Sequence, residues 1–359
     1  MAGPHRALAA TRRAVAAAFR HERIEAGSRV LLAVSGGSDS MALAQAALFV
    51  ARRQAVVVAS MTVDHGWREE SADEAATVRG WLEAMGADPA MSVRVDARGS
   101  GGPEAAARAA RYEALARAAR DFGGATVLLG HTADDQAETV LLGLARGSGT
   151  RSIAGMPPAS HAPGARDVAT LRPFLGLRRE TLRLALRSEG LAWFDDPTND
   201  PGTAAGGRQH EPHEPQILHG PAQPSRLPLR SALRHHALPA LEEDLGPGVV
   251  EALARTATLV RADAEALDEI AAAHAERLGP HPPLDDLRAM PRAVRTRILR
   301  SLAIAAGARA GELTSWHITH MDELATGGNG RASLDLPGVK VAIGGGRVAF
   351  QRTGPAAGR

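Results

Sequence analysis

Apolar residues in the first half of the chain fall in short runs separated by segments of helical period. Val30-Leu31-Leu32-Ala33-Val34 and residues 55–63, 91–95 and 125–129 read as buried strands. Between them, residues 41–48, about 71–85, 103–121 and 133–146 read as helices. An N-terminal segment, residues 6–20, repeats Leu8, Val15 and Phe19 at helical spacing and is expected to pack on the same domain. Strands alternating with helices predict an α/β class: a Rossmann-like parallel sheet wound with helices, with ligands outside the C-terminal strand ends.

The alternation stops at residues 201–228, where Gly, Pro, His and Gln dominate and a linker or disordered insertion is expected. His210, His213 and His219 lie there without the fixed spacing of a metal site. Helical period resumes over residues 229–241, 249–278 and 284–306, a small helical domain. Two apolar runs around Gly344-Gly345-Gly346 read as a closing C-terminal β-hairpin. The expected organisation is a nucleotide domain over 1–200, the linker over 201–228, a helical domain over 229–330, and hairpin and tail over 331–359.

Composition narrows the chemistry. The 359 residues include no cysteine, which excludes disulfides, thiolate metal or iron–sulfur sites and a cysteine nucleophile. The pI of about 9.8 accompanies a net charge of only +2 and owes much to arginine. Lys340 is the only lysine among 42 basic residues, a coding bias rather than an RNA-binding signature. No apolar run approaches a membrane span, so a soluble cytoplasmic enzyme with no membrane contact is expected.

The most specific local feature follows the first strand: Ser35-Gly36-Gly37-Ser38-Asp39-Ser40, leading into a helix. Two glycines let the backbone turn and present N–H groups, the serines add hydroxyls, and the helix N-terminus supplies positive potential. The loop has no lysine, and an acid beside phosphates calls for a bridging divalent cation, so Asp39 is the candidate metal ligand and Mg2+ the expected ion. The string resembles the SGGxDS PP-loop of the N-type ATP pyrophosphatases, which have the adenine nucleotide alpha hydrolase fold.

His131-Thr132-Ala133-Asp134-Asp135-Gln136-Ala137-Glu138-Thr139 lies at a later strand end, and Asp135 and Glu138 share a helix face. Helix capping would need one acid rather than this cluster. With Arg146-Gly147-Ser148-Gly149 downstream, the chain resembles the tRNA(Ile)-lysidine synthetase family. The resemblance extends through Val63-Asp64-His65-Gly66, Arg108-Ala109-Ala110-Arg111-Tyr112, Leu171-Arg172-Pro173-Phe174-Leu175, Asp195-Asp196-Pro197-Thr198-Asn199 and Arg230-Ser231-Ala232-Leu233-Arg234-His235. Two departures stand out: Ala232 replaces an arginine of an R-x-R-x-R string, and the His/Pro-rich segment interrupts a usually short passage.

The resemblance implies ATP-dependent conversion of the wobble cytidine of a CAU-anticodon isoleucine tRNA to lysidine, through an adenylated intermediate. By motif match, Ser35 to Ser40 and His131 would bind ATP, Asp39 would hold Mg2+, and Arg111 would lie near the reacting centre. Asp135 and Glu138 would receive the ammonium of L-lysine, and Arg230 and Arg234 would contact tRNA phosphates. Asp39, Arg111, Asp135 and Glu138 form the implied catalytic set, and a homodimer stays open. A cytidine thiolase or a glutamine-hydrolysing synthetase would need cysteine. An ammonia-dependent NAD synthetase should lack the second motif, and a non-catalytic RNA-binding module would not need the complete phosphate loop.

Overall fold

The structure is a computed structural model that describes residues 5–66, 70–96, 102–147, 149–194, 229–327 and 332–353. The DDPTN string, Ser148 and the 201–228 segment lie outside the described residues. The chain divides into two compact units, Met1–Thr139 with Met156–Arg255, and Val140–Gly155 with Thr256–Arg359.

The first unit is built on a six-stranded sheet of β1 (Arg29–Ala33), β2 (Val57–Asp64), β3 (Ala90–Arg94), β4 (Thr126–Leu128), β5 (Ala159–Ala162) and β6 (Ala165–Leu171). Its order is β3-β2-β1-β4-β6-β5, and only β5 runs antiparallel to its neighbour. Alternation along β1 sorts the core: Val30 and Leu32 join one apolar cluster, Leu31 and Ala33 the other. The first cluster includes residues of the Arg6–His21, Ser38–Gln54, Ser71–Met85 and Arg179–Ser188 helices, and the second those of the Pro103–Asp121 helix. After β1 the chain winds outward through β2 and β3, then returns to place β4 on the other side of β1. That reversal opens a crevice at the C-terminal ends of β1 and β4, where both sequence motifs begin.

The second unit packs the helices Leu284–Arg288, Arg292–Ala305 and Ser315–Thr326 with a three-stranded antiparallel sheet, β7 (Ala332–Leu336), β8 (Val339–Gly344) and β9 (Arg347–Arg352). The expected closing hairpin is β8–β9, and β7 adds a third strand. The single helix expected over 284–306 is instead two, because the proline at 291 cannot continue the first and caps the second. Among the described residues no helix is long and apolar enough to cross a membrane.

Candidate active site

Ser35, Gly37, Ser38, Asp39 and Ser40 line a cleft of about 790 Å3 together with Arg111, His131, Asp135 and Arg234, all within the first unit. The loop holds its own shape: Ser35 N–H donates to Ser40 Oγ at 3.2 Å, and Ser40 Oγ donates to the Gly37 carbonyl at 2.9 Å. Gly36 has φ +87°, and a Cβ there would come within 2.6 Å of Val78 Cγ2 and 3.2 Å of Phe194. Its carbonyl accepts from Phe194 N–H at 2.9 Å, and Phe194 stacks on Trp81 with ring centroids 5.1 Å apart. Gly130 lets the end of β4 meet the loop, since a Cβ there would lie 3.0 Å from the Asp39 carbonyl oxygen.

Gly36→Ala is therefore expected to cost about 1–3 kcal/mol of stability, from strained backbone and a clash with packed side chains. A lowered Tm together with weakened ATP binding is the expected outcome. An unchanged Tm would show that the loop does not need this conformation.

The acids of the two motifs meet through arginines. Arg179 Nε donates to Asp39 Oδ2 at 2.7 Å, and the same guanidinium donates to Asp135 Oδ1 at 3.3 Å. Asp135 also accepts from the Thr132 backbone N–H and hydroxyl, each at 2.8 Å. Arg234 Nε donates to Glu138 Oε1 at 2.8 Å and approaches Asp135 at 3.5 Å, while Arg230 lies 3.7 Å from Glu138 Oε2. Arg230 and Arg234, expected at tRNA phosphates, thus both reach inward to Glu138.

Burial raises the Asp39 carboxyl above its ordinary value, with Arg179 offsetting part of the shift. Burial also raises Glu138, opposed by Arg234. For Asp135 the same burial is overcome by Arg179, His131 and the Thr132 hydrogen bonds, and its carboxyl is lowered. His131 is pushed down to about 4 by burial, against Asp135 and reinforced by Arg172, Arg111 and Arg108, so its ring is neutral at pH 7. The Arg111 guanidinium, desolvated and beside Arg108, forms no ion pair with a described residue. Glu138 is fully buried, yet its Oε2 has no hydrogen-bond partner among the described residues, nor do His131 Nδ1 and His235 Nε2. His131 and His235 line the cleft with the arginines, where a polar ligand could satisfy their orphaned ring nitrogens, whereas Glu138 is not among the residues lining it and meets the cleft through Arg234.

His235 lies on a π-helical stretch, Leu233–Ala237, where Leu238 N–H donates back to Leu233. Pro239, which has no N–H and crowds the carbonyl four residues earlier, favours this wide turn. Mg2+ suits the donor set, because it is commonly held by one or two carboxylates plus phosphate oxygens and Asp39 stands at the phosphate loop. Among the described residues no cluster of three or more His, Cys, Asp or Glu offers a metal cage.

Sequence reasoning missed Arg179, the residue that joins Asp39 to Asp135. One signal was present: Arg178 and Arg179 open the Arg179–Ser188 helix, where the helix dipole disfavours cations. Arg178 is accounted for by Asp134, Glu242 and Glu251, within 3.2 Å.

A glycine-rich loop after β1, at the switch point of a parallel sheet and ringed by acids and arginines, defines a nucleotide-binding α/β domain of the PP-loop class. The sequence profile of the PP-loop domain matches residues 9–203, and that of the TilS substrate binding domain matches residues 283–348. The chain is 46% identical to a tRNA(Ile)-lysidine synthase of Thermobifida fusca, over 95% of this chain and 96% of that one. Against the tRNA(Ile)-lysidine synthase of Streptomyces coelicolor it is 48% identical, over 87% and 82% of the two chains. The chain belongs to the tRNA(Ile)-lysidine synthase family. A solved structure of the U34-tRNA thiolase NcsA from Methanococcus maripaludis with its [4Fe-4S] cluster shares the fold, at TM-score 0.50 and 18% identity over 70% of this chain and 77% of that one. The chain lacks the cysteines that a thiolate-bound cluster requires.

Proposed function

We propose that this protein ligates L-lysine to C2 of the wobble cytidine of a CAU-anticodon isoleucine tRNA, consuming ATP and releasing AMP and pyrophosphate. The observation that carries the reading is the meeting of the Ser35–Ser40 loop with the Asp135–Glu138 pair through Arg179 and Arg234. In the first step the cytosine C2 oxygen attacks the α-phosphorus and pyrophosphate leaves. In the second an amine of lysine attacks C2, a proton is lost, and AMP leaves.

The loop N–H groups and Ser38 and Ser40 would hold the pyrophosphate portion of ATP. Mg2+ on Asp39 would neutralise charge developing on those phosphates. Arg111, a desolvated cation with no described acid opposite it, suits the α-phosphate and the AMP that departs. Neutral His131 can orient the nucleotide by hydrogen bonding without adding charge. Asp135, held ionised, would anchor the lysine ammonium. Glu138, paired with Arg234 in the ligand-free site, would share that ammonium with Asp135.

Arg179, Arg230 and Arg234, which occupy the acids here, would then turn toward the incoming phosphates. The decisive measurement is pyrophosphate release with and without each substrate, alongside mass analysis of the tRNA after incubation with isotopically labelled lysine. Release that requires both tRNA and lysine, with label in the tRNA, is expected. Release without tRNA, or no label in the tRNA, would overturn the assignment.

A further inference from the structure

One side chain spans both halves of the cleft. Arg179 Nε donates to Asp39 Oδ2 at 2.7 Å, and its Nη2 donates to Asp135 Oδ1 at 3.3 Å. A single guanidinium therefore closes the proposed metal ligand of the phosphate loop and the proposed lysine anchor of the second motif together. Guanidinium donors sit in a rigid planar fork. This one cannot swing away from one acid and keep its grip on the other.

The base of the side chain is fixed, and its tip is placed to exchange partners. Arg179 backbone N–H donates to Asp134 Oδ2 at 2.8 Å. Leu182 and Leu186 of the same helix are fully packed in the first apolar cluster. The guanidinium, by contrast, lines the cleft and is held there by the two carboxylates. Arg183, one turn further along the same helix face, also reaches the loop, with Nε 3.5 Å from Ser38 Oγ. Phosphates bound at Ser38 and its neighbours thus arrive beside Arg179.

Asp135 turns this geometry into a link between ligands. Its Oδ2 accepts from the Thr132 N–H and hydroxyl, each at 2.8 Å, while its Oδ1 faces Arg179. Arg234 approaches the same Oδ1 at 3.5 Å, but its closer partner is Glu138 at 2.8 Å, outside the connection to Asp39. Lysine arriving without ATP must push Arg179 off Asp135, and the rigid fork then leaves Asp39 as well. The Arg179 side chain is only 17% exposed, so a guanidinium displaced without a new anion stays largely out of water, at a high cost. With magnesium and ATP bound, the triphosphate receives the guanidinium, the cation receives Asp39, and Asp135 Oδ1 is already open to an ammonium.

We propose that Arg179 is a positioning residue that couples the two substrate sites: it shuts the lysine anchor until magnesium and ATP draw it off, so that nucleotide and lysine bind with positive cooperativity before any tRNA is present. The proposal rests on the ligase reading above and adds an order to it, nucleotide before amine. By linkage, lysine must tighten nucleotide binding by the same factor as nucleotide tightens lysine binding.

The test is calorimetric titration of L-lysine into the full chain without tRNA, with and without Mg2+ and α,β-methylene ATP, whose α–β bridge resists cleavage. In the parent the lysine Kd should fall at least about fivefold when the nucleotide is bound, the lower end for coupled sites, and the reciprocal titration should give the same factor. In Arg179→Met both ratios should drop to about one, because lysine affinity without nucleotide rises. A residue that only secured the fold would change the Tm or both affinities and leave the ratio as it was. Arg179→Lys serves if the Met variant does not fold: its single ammonium keeps a charge beside the acids but cannot bridge both, so its ratio should also fall below the parent's. An unchanged lysine Kd in the parent with and without nucleotide overturns the proposal, and the ligase reading stands if labelled lysine still enters the tRNA. A full ratio retained in both variants shows that other groups carry the coupling, and Arg179 is overturned as its carrier. No lysine binding in either state, together with no label in the tRNA, overturns the proposal and the ligase reading alike.

Discussion

Asp39→Asn is expected to reduce lysine- and tRNA-dependent pyrophosphate release by at least about a hundredfold while leaving tRNA affinity within about twofold. The substitution keeps the side-chain shape at the phosphate loop and removes only the charge. A metal's stabilisation of phosphoryl charge is worth several kcal/mol, and each 1.4 kcal/mol is about tenfold in rate. Burial raises the Asp39 carboxyl and Arg179 at 2.7 Å opposes that shift, favouring the anion that the proposed cation would need. Arg179 retains Asp135 in the variant, so the local fold should survive. Normal pyrophosphate release at physiological Mg2+ would show that Asp39 is a structural partner of Arg179 and nothing more.

The pairing of Asp39 with Arg179 also marks the limit of what could be read from the chain. Elements with strong local punctuation were legible: the Ser71–Met85 helix stops at Gly86, the Pro103–Asp121 helix starts on its proline, and the Ala133–Arg146 helix ends at Gly147. The β5–β6 hairpin was not, because Ala159–Ala162 and Ala165–Leu171 mix polar and apolar residues without a sustained alternation. The Ser315–Thr326 helix was missed although Ile318, Met321 and Ala325 recur at helical spacing and join the core, because that stripe spans only two turns and is interrupted by His, Asp and Glu. The acids of the site stood in two local motifs and could be found. Their cationic partners could not, since Arg179 lies 140 residues from Asp39 and Arg234 lies 96 from Glu138. Only the sheet topology brings such groups together.

Arginines on each acid change what ligand binding must accomplish. A buried carboxylate without a cation would be costly, so the ligand-free site is held together by guanidinium groups where ligands are proposed to bind. Phosphates compete for the arginines, and cations compete for the acids. Each guanidinium and each carboxylate released from its resting pair would thus find a new partner in the ligand, and neither is left unpaired in a desolvated cleft.

Glu138→Gln probes that exchange at the lysine end. The KM for lysine is expected to rise about 10- to 100-fold, the range for a hydrogen bond to a charged group, with the KM for ATP nearly unchanged and kcat at saturating lysine largely kept. Acid should mimic the substitution. Because burial raises the Glu138 carboxyl above 4.5, falling pH protonates it earlier than an ordinary glutamate, and the lysine KM should climb in mildly acid solution. In Glu138→Gln this contribution to the pH dependence should vanish. Stability runs the other way: a carboxyl with a raised folded-state pKa costs stability once ionised and is relieved as pH falls through that pKa. Gln at this fully buried position, still able to accept from Arg234, should therefore leave the Tm at neutral pH no lower than the parent. Equal rises in KM for lysine and ATP, accompanied by a lower Tm, would show instead that Glu138 serves only to secure its helix and Arg234.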